Sequence, residues 1–392
     1  MFKSVLSLTL AAALGTASFG QTTLTAIPGE AAAAKYASIS QEILRAIEKG
    51  NEYLKSKQNP EGYWAQPSYP ALTALAVTAY MRDPANQGKP VPEYIRKGYD
   101  FILKSQKEDG SIFNRGMSSY NTAVCMMALL AANKEEYAPA ILKGRAYLIK
   151  QQNHFAPDNP YNGGIGYGDK QAPPLADLSN TSLALEAIYY SQKLAKDGKY
   201  GEQPDLDWNA ATEFINRCQQ NPAVNKEPWV SNDKSQLGGF VYRPGVSSAR
   251  DKKSAAFDKA EPPKAYGSMT YAGMQSLIYA NVDKNDPRVK LALKWLENSY
   301  SLDENPGMGV QGLYYYYQAM SKALSAMGID TLTLENGRKV DWRDELANKL
   351  ISIQKSDGSW VNTNNRWWEA DPVLVTSYCV LALEQLYHSI PR

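Results

Sequence analysis

Two kinds of segment alternate along the chain. The first carries apolar residues at helical spacing on one side and charged residues on the other, and it ends at a glutamine. Lys49-Gly50-Asn51-Glu52-Tyr53-Leu54 leads to Gln58 and then Gly62-Tyr63-Trp64. Lys97-Gly98-Tyr99-Asp100-Phe101-Ile102 leads to Gln106 and Gly110-Ser111-Ile112-Phe113. Lys143-Gly144-Arg145-Ala146-Tyr147-Leu148 runs to Gln151, and Leu346-Ala347-Asn348-Lys349-Leu350-Ile351 runs to Gln354 and Gly358-Ser359-Trp360. Looser copies lie at Ala211–Gln219 and Leu291–Leu296. The spacing predicts amphipathic helices that stop at a glycine-bearing turn with an aromatic just beyond it.

The second kind of segment is apolar on nearly all sides. Thr73, Thr122, Thr181, Thr270 and Thr376 each precede a small residue three places on: Ala76, Cys125, Ala184, Gly273 and Cys379. A larger residue follows at the fourth place, namely Val77, Met126, Leu185, Met274 and Val380. The alternation of small and large returns at the sixth and seventh places. Tyr316, Ala319 and Met320 read as a degenerate sixth copy that loses the pattern at Lys322. Positions 0, 3, 4 and 7 share one face of a helix, and small residues there let a second helix come close.

Such helix pairs stack as an open solenoid or close as a ring. Helices that are apolar all round need enclosure, so a closed ring with the second set inside is expected. The predicted fold is an all-α, (α/α)6 toroid built from six helix-pair repeats. It forms a single domain over residues 21–392, interrupted by an insertion at about 221–265. Within that insertion Ser247–Pro263 reads as a surface loop, either a lid beside the cavity or a plain solvated insertion.

The Lys-Gly, aromatic-aliphatic, Gln, Gly-x-Trp pattern resembles the QW motif of squalene and oxidosqualene cyclases. Gln58/Gly62/Trp64, Gln106/Gly110/Phe113 and Gln354/Gly358/Trp360 carry it most plainly. The resemblance covers nearly the whole mature chain and extends to the prenyltransferase and squalene-oxidase repeat superfamily, with secreted bacterial squalene-cyclase-like proteins the nearest type. It implies the same toroid and a structural glutamine that ties outer helices together. Class II terpene cyclases of this kind carry an Asp-x-Asp-Asp motif whose middle Asp protonates an alkene or epoxide. The matching stretch here is Asp177-Leu178-Ser179-Asn180, with Ser179 at the donor position. A serine hydroxyl is far too weak an acid for that step. The Asp-Cys-His zinc set of protein prenyltransferases and the Cys-Gly-Glu-Gln of thioester domains are both missing from the sequence.

Composition narrows the function further. The chain has 392 residues, 44% hydrophobic and 21% charged, with a net charge of +2, which excludes whole-chain disorder and the usual nucleic-acid footprint. Two histidines and three cysteines leave little material for a zinc site, and no metal or cofactor is expected. Cys125, Cys218 and Cys379 read as small buried apolar residues. The 26 tyrosines suit a lined cavity. Lys3, the apolar run Val5–Leu14 and Ser18-Phe19-Gly20 have secretory signal-peptide order over residues 1–20, too short for a permanent span. The mature protein is expected to be secreted or periplasmic, with no integral membrane segment; peripheral contact with the envelope stays an open alternative.

The mouth of such a ring gathers the segments just ahead of each inner helix. Asp177, Glu369 and Asp371 are the candidate catalytic acids there. Tyr120, Asn121, Tyr167, Asn180, Tyr242, Arg243, Tyr315, Trp367 and Trp368 are the candidate substrate-binding residues. Helix capping is the competing role for Asp177, Ser179, Asn180 and Asp371, whereas Glu369 beside two tryptophans is the stronger functional candidate. Arg243 is the candidate anchor for a phosphate or carboxylate. In the run Tyr314 to Tyr317, one ring should face the cavity and another the outer layer. Three functions are compatible with these residues. The leading one is binding, with or without transformation, of an elongated apolar or isoprenoid-like molecule. The others are a glycan-active enzyme of the polysaccharide-lyase type and a protein-binding scaffold.

Overall fold

The helix periods place twelve α-helices in the computed structural model, which describes residues 28–168, 175–249 and 262–390. In chain order these are α1 (Pro28–Ser56), α2 (Pro70–Arg82), α3 (Glu93–Lys104), α4 (Ser118–Ala131), α5 (Ala138–Lys150) and α6 (Leu178–Ala195). They continue with α7 (Trp208–Cys218), α8 (Gly267–Tyr279), α9 (Pro287–Asn298), α10 (Leu313–Met327), α11 (Trp342–Ser352) and α12 (Pro372–Ser389). The even-numbered helices form an inner ring in which each packs on the next and α12 packs back on α2. The odd-numbered helices lie outside them. α1 rests chiefly on α12 and α11, so the first helix is held by the last repeat. A two-stranded hairpin, Leu332–Thr333 with Lys339–Val340, joins α10 to α11. The chain is thus an all-α toroid, and among the described residues no helix is long and apolar enough to cross a membrane. The leader read over residues 1–20 lies outside the described residues.

Each recurrent residue has a defined task. The Gln58 amide donates to Gly62 O (3.0 Å) within its own turn and to Tyr94 O (2.7 Å) at the start of the next outer helix. Gln106 does the same to Gly110 O and Ala140 O, Gln219 to Gly238 O and Arg288 O, and Gln354 to Gly358 O and Ala46 O. In the third copy the tie is made by Gln152, to Gly163 O and Asp207 O. The expected Gln151 instead ends α5 as its C-cap, one residue short of the turn. Gly110 shows why the turn needs glycine. Its φ is +90°, and a Cβ there would lie 2.2 Å from Lys143 O on α5. Gly144, next along α5, lets that helix settle on Met126 of α4, where a Cβ would meet the sulfur at 2.9 Å. The Lys-Gly pair therefore presses its backbone on two neighbours at once.

The threonines face the same turns. Thr73, Thr122, Thr181, Thr270 and Thr376 are fully buried. Their hydroxyls accept from the backbone N–H of Trp64, Ile112, Ile165, Phe240 and Trp360 at 2.8–3.1 Å. The helices begin three or four residues before these threonines. In the degenerate sixth copy the equivalent position is Tyr317, one residue beyond the sequence reading. Residues two and five places after each Thr face the ring axis, as Val124 and Met127 do on α4, and on α10 these are Ala319 and Lys322. The Tyr317 hydroxyl reaches outward instead, to Leu302 O at 2.6 Å.

The insertion is anchored rather than loose over its described part. Ser231 N donates to Gln220 Oε1, Ala265 N to Gln236 Oε1, and Gln220 Nε2 to Pro263 O. Residues 250–261, within the expected loop, lie outside the described residues. Cys125, Cys218 and Cys379 are buried and unpaired with one another.

Two predictions test this frame. Replacing Thr122 by Val strands the buried Ile112 N–H and should cost about 1–3 kcal/mol in chemical denaturation, while Ser at the same place should be close to neutral. Glu384 on α12 is fully buried and neither carboxylate oxygen has a hydrogen-bond partner. Burial, with Asp83 adding to it and Arg82 opposing, holds its pKa well above the usual carboxylate range. Folding then favours the protonated form, so wild-type stability is lost as pH rises from about 4.3, the free-glutamate value, to the raised folded value. Glu384→Gln should raise the Tm at pH 8, with a gain that shrinks on acidification and is gone near pH 4. An equal gain at both pH values would show that ionisation is not the cause.

Candidate functional site

All six inner helices begin at one end of the ring, which leaves their first backbone N–H groups to be satisfied around a common opening. Two helices use their own caps. Asp177 accepts from Asn180 N (2.9 Å) at the start of α6, and Asp371 accepts from Val373 N (2.8 Å) at the start of α12. Three others lack a capping side chain and borrow one. Asn121 on α4 offers Oδ1 to Ala71 N of α2 (3.0 Å), and Asn305 offers Oδ1 to Ser268 N of α8 (2.9 Å). Helix α10 starts after Gly312, at φ +65°, which has no side chain to give. Its N–H groups at Tyr315 (2.8 Å) and Tyr314 (3.4 Å) donate to Glu369, which Asn362 Nδ2 also holds at 2.7 Å.

Within the opening lies a cavity of about 350 Å3. Its walls are Leu72, Met117, Tyr120, Tyr167, Ser179, Tyr242, Tyr266, Ser268, Met269, Gly312, Tyr315, Trp367, Trp368, Glu369, Leu374 and Tyr378. Glu369 is the one carboxylate among them. Burial raises its pKa, against the opposing hydrogen bonds from Tyr315 N, Asn362 and Tyr314 N. Burial likewise pushes the Tyr120, Tyr315 and Tyr378 phenols up, so these hydroxyls stay neutral. The rim is aromatic and partly solvent-facing: Trp367 is 45% exposed and Trp368 38%. Both have positive φ, 56° and 65°, which is strained for bulky residues. Arg366 stacks over Trp367 at 4.3 Å, and Trp368 meets the Tyr69 ring at 4.7 Å.

Of the residues read from sequence, Tyr120, Tyr167, Tyr242, Tyr315, Trp367, Trp368 and Glu369 line the cavity. Five do not. Asn121 is buried with its amide spent on Ala71, Gly116 and Met117. Asp371 is a cap. Asp177 and Asn180 bind each other behind the wall, Asn180 Nδ2 to Asp177 Oδ2 at 2.7 Å. Capping of α6 thus belongs to Asp177, with Ser179 and Asn180 already inside the helix. Burial raises the Asp177 pKa to about 6, and the Asn180 hydrogen bonds, Tyr242 and Arg243 pull it back. Arg243 does not line the cavity, and its charge is felt by Tyr161 and Asp177. In the tyrosine run Tyr315 faces the cavity, while the hydroxyls of Tyr316 and Tyr317 reach Ser301 O and Leu302 O in the outer layer. Sequence reasoning missed Tyr378, Met269, Leu374 and Leu72. Tyr378 stands two places after Thr376, the axis-facing position of every inner helix, so counting from the threonine would have found it. Among the described residues no three His, Cys, Asp or Glu side chains gather as a metal site.

No family model matches the chain. Among solved structures it is similar to the ligand-free type II terpene cyclase MstE from Scytonema, at TM-score 0.54 and 11% identity over 89% of this chain and 99% of that one. A variant of the same cyclase in complex with geranylgeranyl dihydroxybenzoate, its substrate, gives TM-score 0.53 at 10% identity over 90% and 99%. Another, bound to the product merosterolic acid A, gives 0.52 at 10% identity over the same shares. At this identity the likeness is one of fold, and the chain has the squalene-cyclase-like toroid of terpenoid cyclases.

Glu369 should behave as a structural group whatever else it does. Glu369→Ala leaves the start of α10 without its borrowed cap and should cost about 1–2 kcal/mol in denaturant unfolding. Glu369→Gln, which keeps an acceptor oxygen, should lose less.

Proposed function

We propose that this protein binds an elongated, apolar, isoprenoid-like molecule in the cavity at the inner-helix starts. The observation that carries the reading is the space at the mouth of the ring: about 350 Å3, walled by Tyr, Trp, Leu and Met, with one carboxylate. Such a space favours apolar ligands, and its polar groups fix orientation. The similar Scytonema cyclase, which holds an isoprenoid substrate on the same fold, supports this choice of ligand class. A hollow, closed ring suits it better than the open groove a glycan chain needs or the filled centre of a scaffold.

Proton-initiated cyclisation needs an acid aimed at the alkene. Ser179 faces the cavity where the class II motif would place that acid, and Asp177 is turned away behind the wall. Glu369 has its pKa raised by burial, but both of its oxygens are engaged by N–H donors at the start of α10 and by Asn362, so it serves as a cap and not as a free acid. The reading is therefore of a binder rather than a proton-initiated cyclase. We further propose, from the leader-like residues 1–20, that it meets its ligand in the envelope or outside the cell.

Native mass spectrometry of the protein recovered from its own host tests this. A bound isoprenoid or other lipid mass that disappears on organic extraction is the expected result. Tyr315→Ala, which removes a cavity wall, should retain less of it. A bound sugar, or a protein that stays empty when offered geranylgeraniol, would overturn the reading.

A further inference from the structure

The ring holds a second compartment on its axis, on the far side of the first. It measures about 80 Å3, and Tyr120, Tyr315 and Tyr378 line both, so the two volumes meet at those three rings. Below them the wall changes character. Five places after the inner-helix threonines come Thr78, Met127 and Leu381 on one side, and Glu186 and Gln275 on the other; Lys322 is their equivalent on α10. Lys322 Nζ pairs with Glu186 Oε2 at 2.5 Å, with side chains only 20% and 7% exposed. This is the residue at which the sixth sequence copy broke its pattern. Arg82, at the end of α2, lines the same space. It gives one hydrogen bond, to Gln385 Oε1 at 2.8 Å, and has no salt-bridge partner among the described residues.

Charge and donors are both in surplus there. Two cations and one carboxylate, Glu186, line it, and Glu384, which feels the Arg82 charge from α12, is held toward its protonated form by burial. A lysine ammonium carries three N–H donors and a guanidinium five, and Lys322 and Arg82 each spend one on a protein acceptor. A half-satisfied buried ion pair is usually less stable than apolar side chains of the same size, and two of the other repeats, with Met127 and Leu381, do place an apolar side chain at this level. We propose that the lower compartment is an oxyanion subsite, in which Arg82 and Lys322 hold a carboxylate or phosphate monoester. The anion is either the head of an amphiphile whose tail fills the upper cavity or a free oxyanion. From Tyr315 to Lys322 is seven residues of helix, about 10 Å, a distance that a medium-length chain spans. The amphiphile form rests on the apolar-ligand reading above and adds a charged end to that ligand.

Calorimetry with dodecanoate below its micellar concentration, methyl dodecanoate and inorganic phosphate tests the subsite. The wild-type protein should bind the acid about tenfold more tightly than the ester, the effect of one charge-assisted contact. Arg82→Gln, and the charge-neutral double variant Glu186→Gln/Lys322→Gln, should erase that preference and leave ester binding unchanged. Arg82→Lys should keep it, and thermal unfolding confirms that each variant is folded. Phosphate binding that Arg82→Gln abolishes, without any preference for acid over ester, supports the same subsite with a free oxyanion as its occupant. Equal binding of acid and ester with no phosphate binding overturns the subsite and leaves the apolar cavity standing. Failure of the ester itself to bind counts against the cavity reading, and the phosphate arm then decides the subsite alone.

Discussion

The close approach of a turn glycine to the backbone of the next outer helix is the constraint on which this molecule depends. At Gly110 the turn lies so near Lys143 O that no side chain fits, and Gln106 locks the contact by donating to both partners. The geometry repeats around the ring, ending with Gly358 and Gln354 against α1. Because each turn is fixed to its neighbour, each inner helix starts at a fixed height, where its threonine meets the turn's backbone. The alignment of the helix starts, and hence the cavity, follows from contacts made on the outside of the ring.

That alignment creates a problem the mouth residues solve. Converging helix starts bring many N–H groups to one apolar space, and each needs an acceptor. Asn121, Asn305 and Glu369 supply acceptors across helix boundaries, so the residues most suggestive of chemistry are largely engaged in holding neighbours together. Glu369 alone does this from the cavity wall. What remains facing the cavity is mainly aromatic, with neutral hydroxyls and two strained tryptophans at its edge. Such a surface recognises shape and polarisable charge better than it performs acid chemistry.

The architecture was legible because it is written six times over. Helix pairing and the inner and outer assignment follow from spacing that local sequence carries, and the bracing role of the glutamine from the resemblance to the squalene cyclases. Errors of one residue arose where a copy departs from the rest. Gln152 replaces Gln151, and Tyr317 replaces Tyr316; on a helix one residue is a rotation of about 100°, enough to turn a side chain from axis to outer layer. The site was harder to read. Asp177, Asn121 and Asp371 are residue types that serve equally as caps and as reactive groups, and which role they take depends on the helix they meet. Asn121 caps a helix about fifty residues away. No local pattern records such a partner, whereas Tyr378 was within reach of the threonine count.

The packing of α1 also bears on how the chain reaches this state. Its contacts are made chiefly with α11 and α12, the helices of the ring that are synthesised last. Until those emerge, α1 has little to fold upon and α2 lacks one of its two ring neighbours, so a growing chain presents unpaired apolar helix faces. Closure joins segments about three hundred residues apart, as the Gln354–Ala46 bond shows. Such distant pairing slows folding and lengthens exposure to aggregation. The ring is therefore a structure whose first element waits for its last, and its vulnerable moment precedes the final turn.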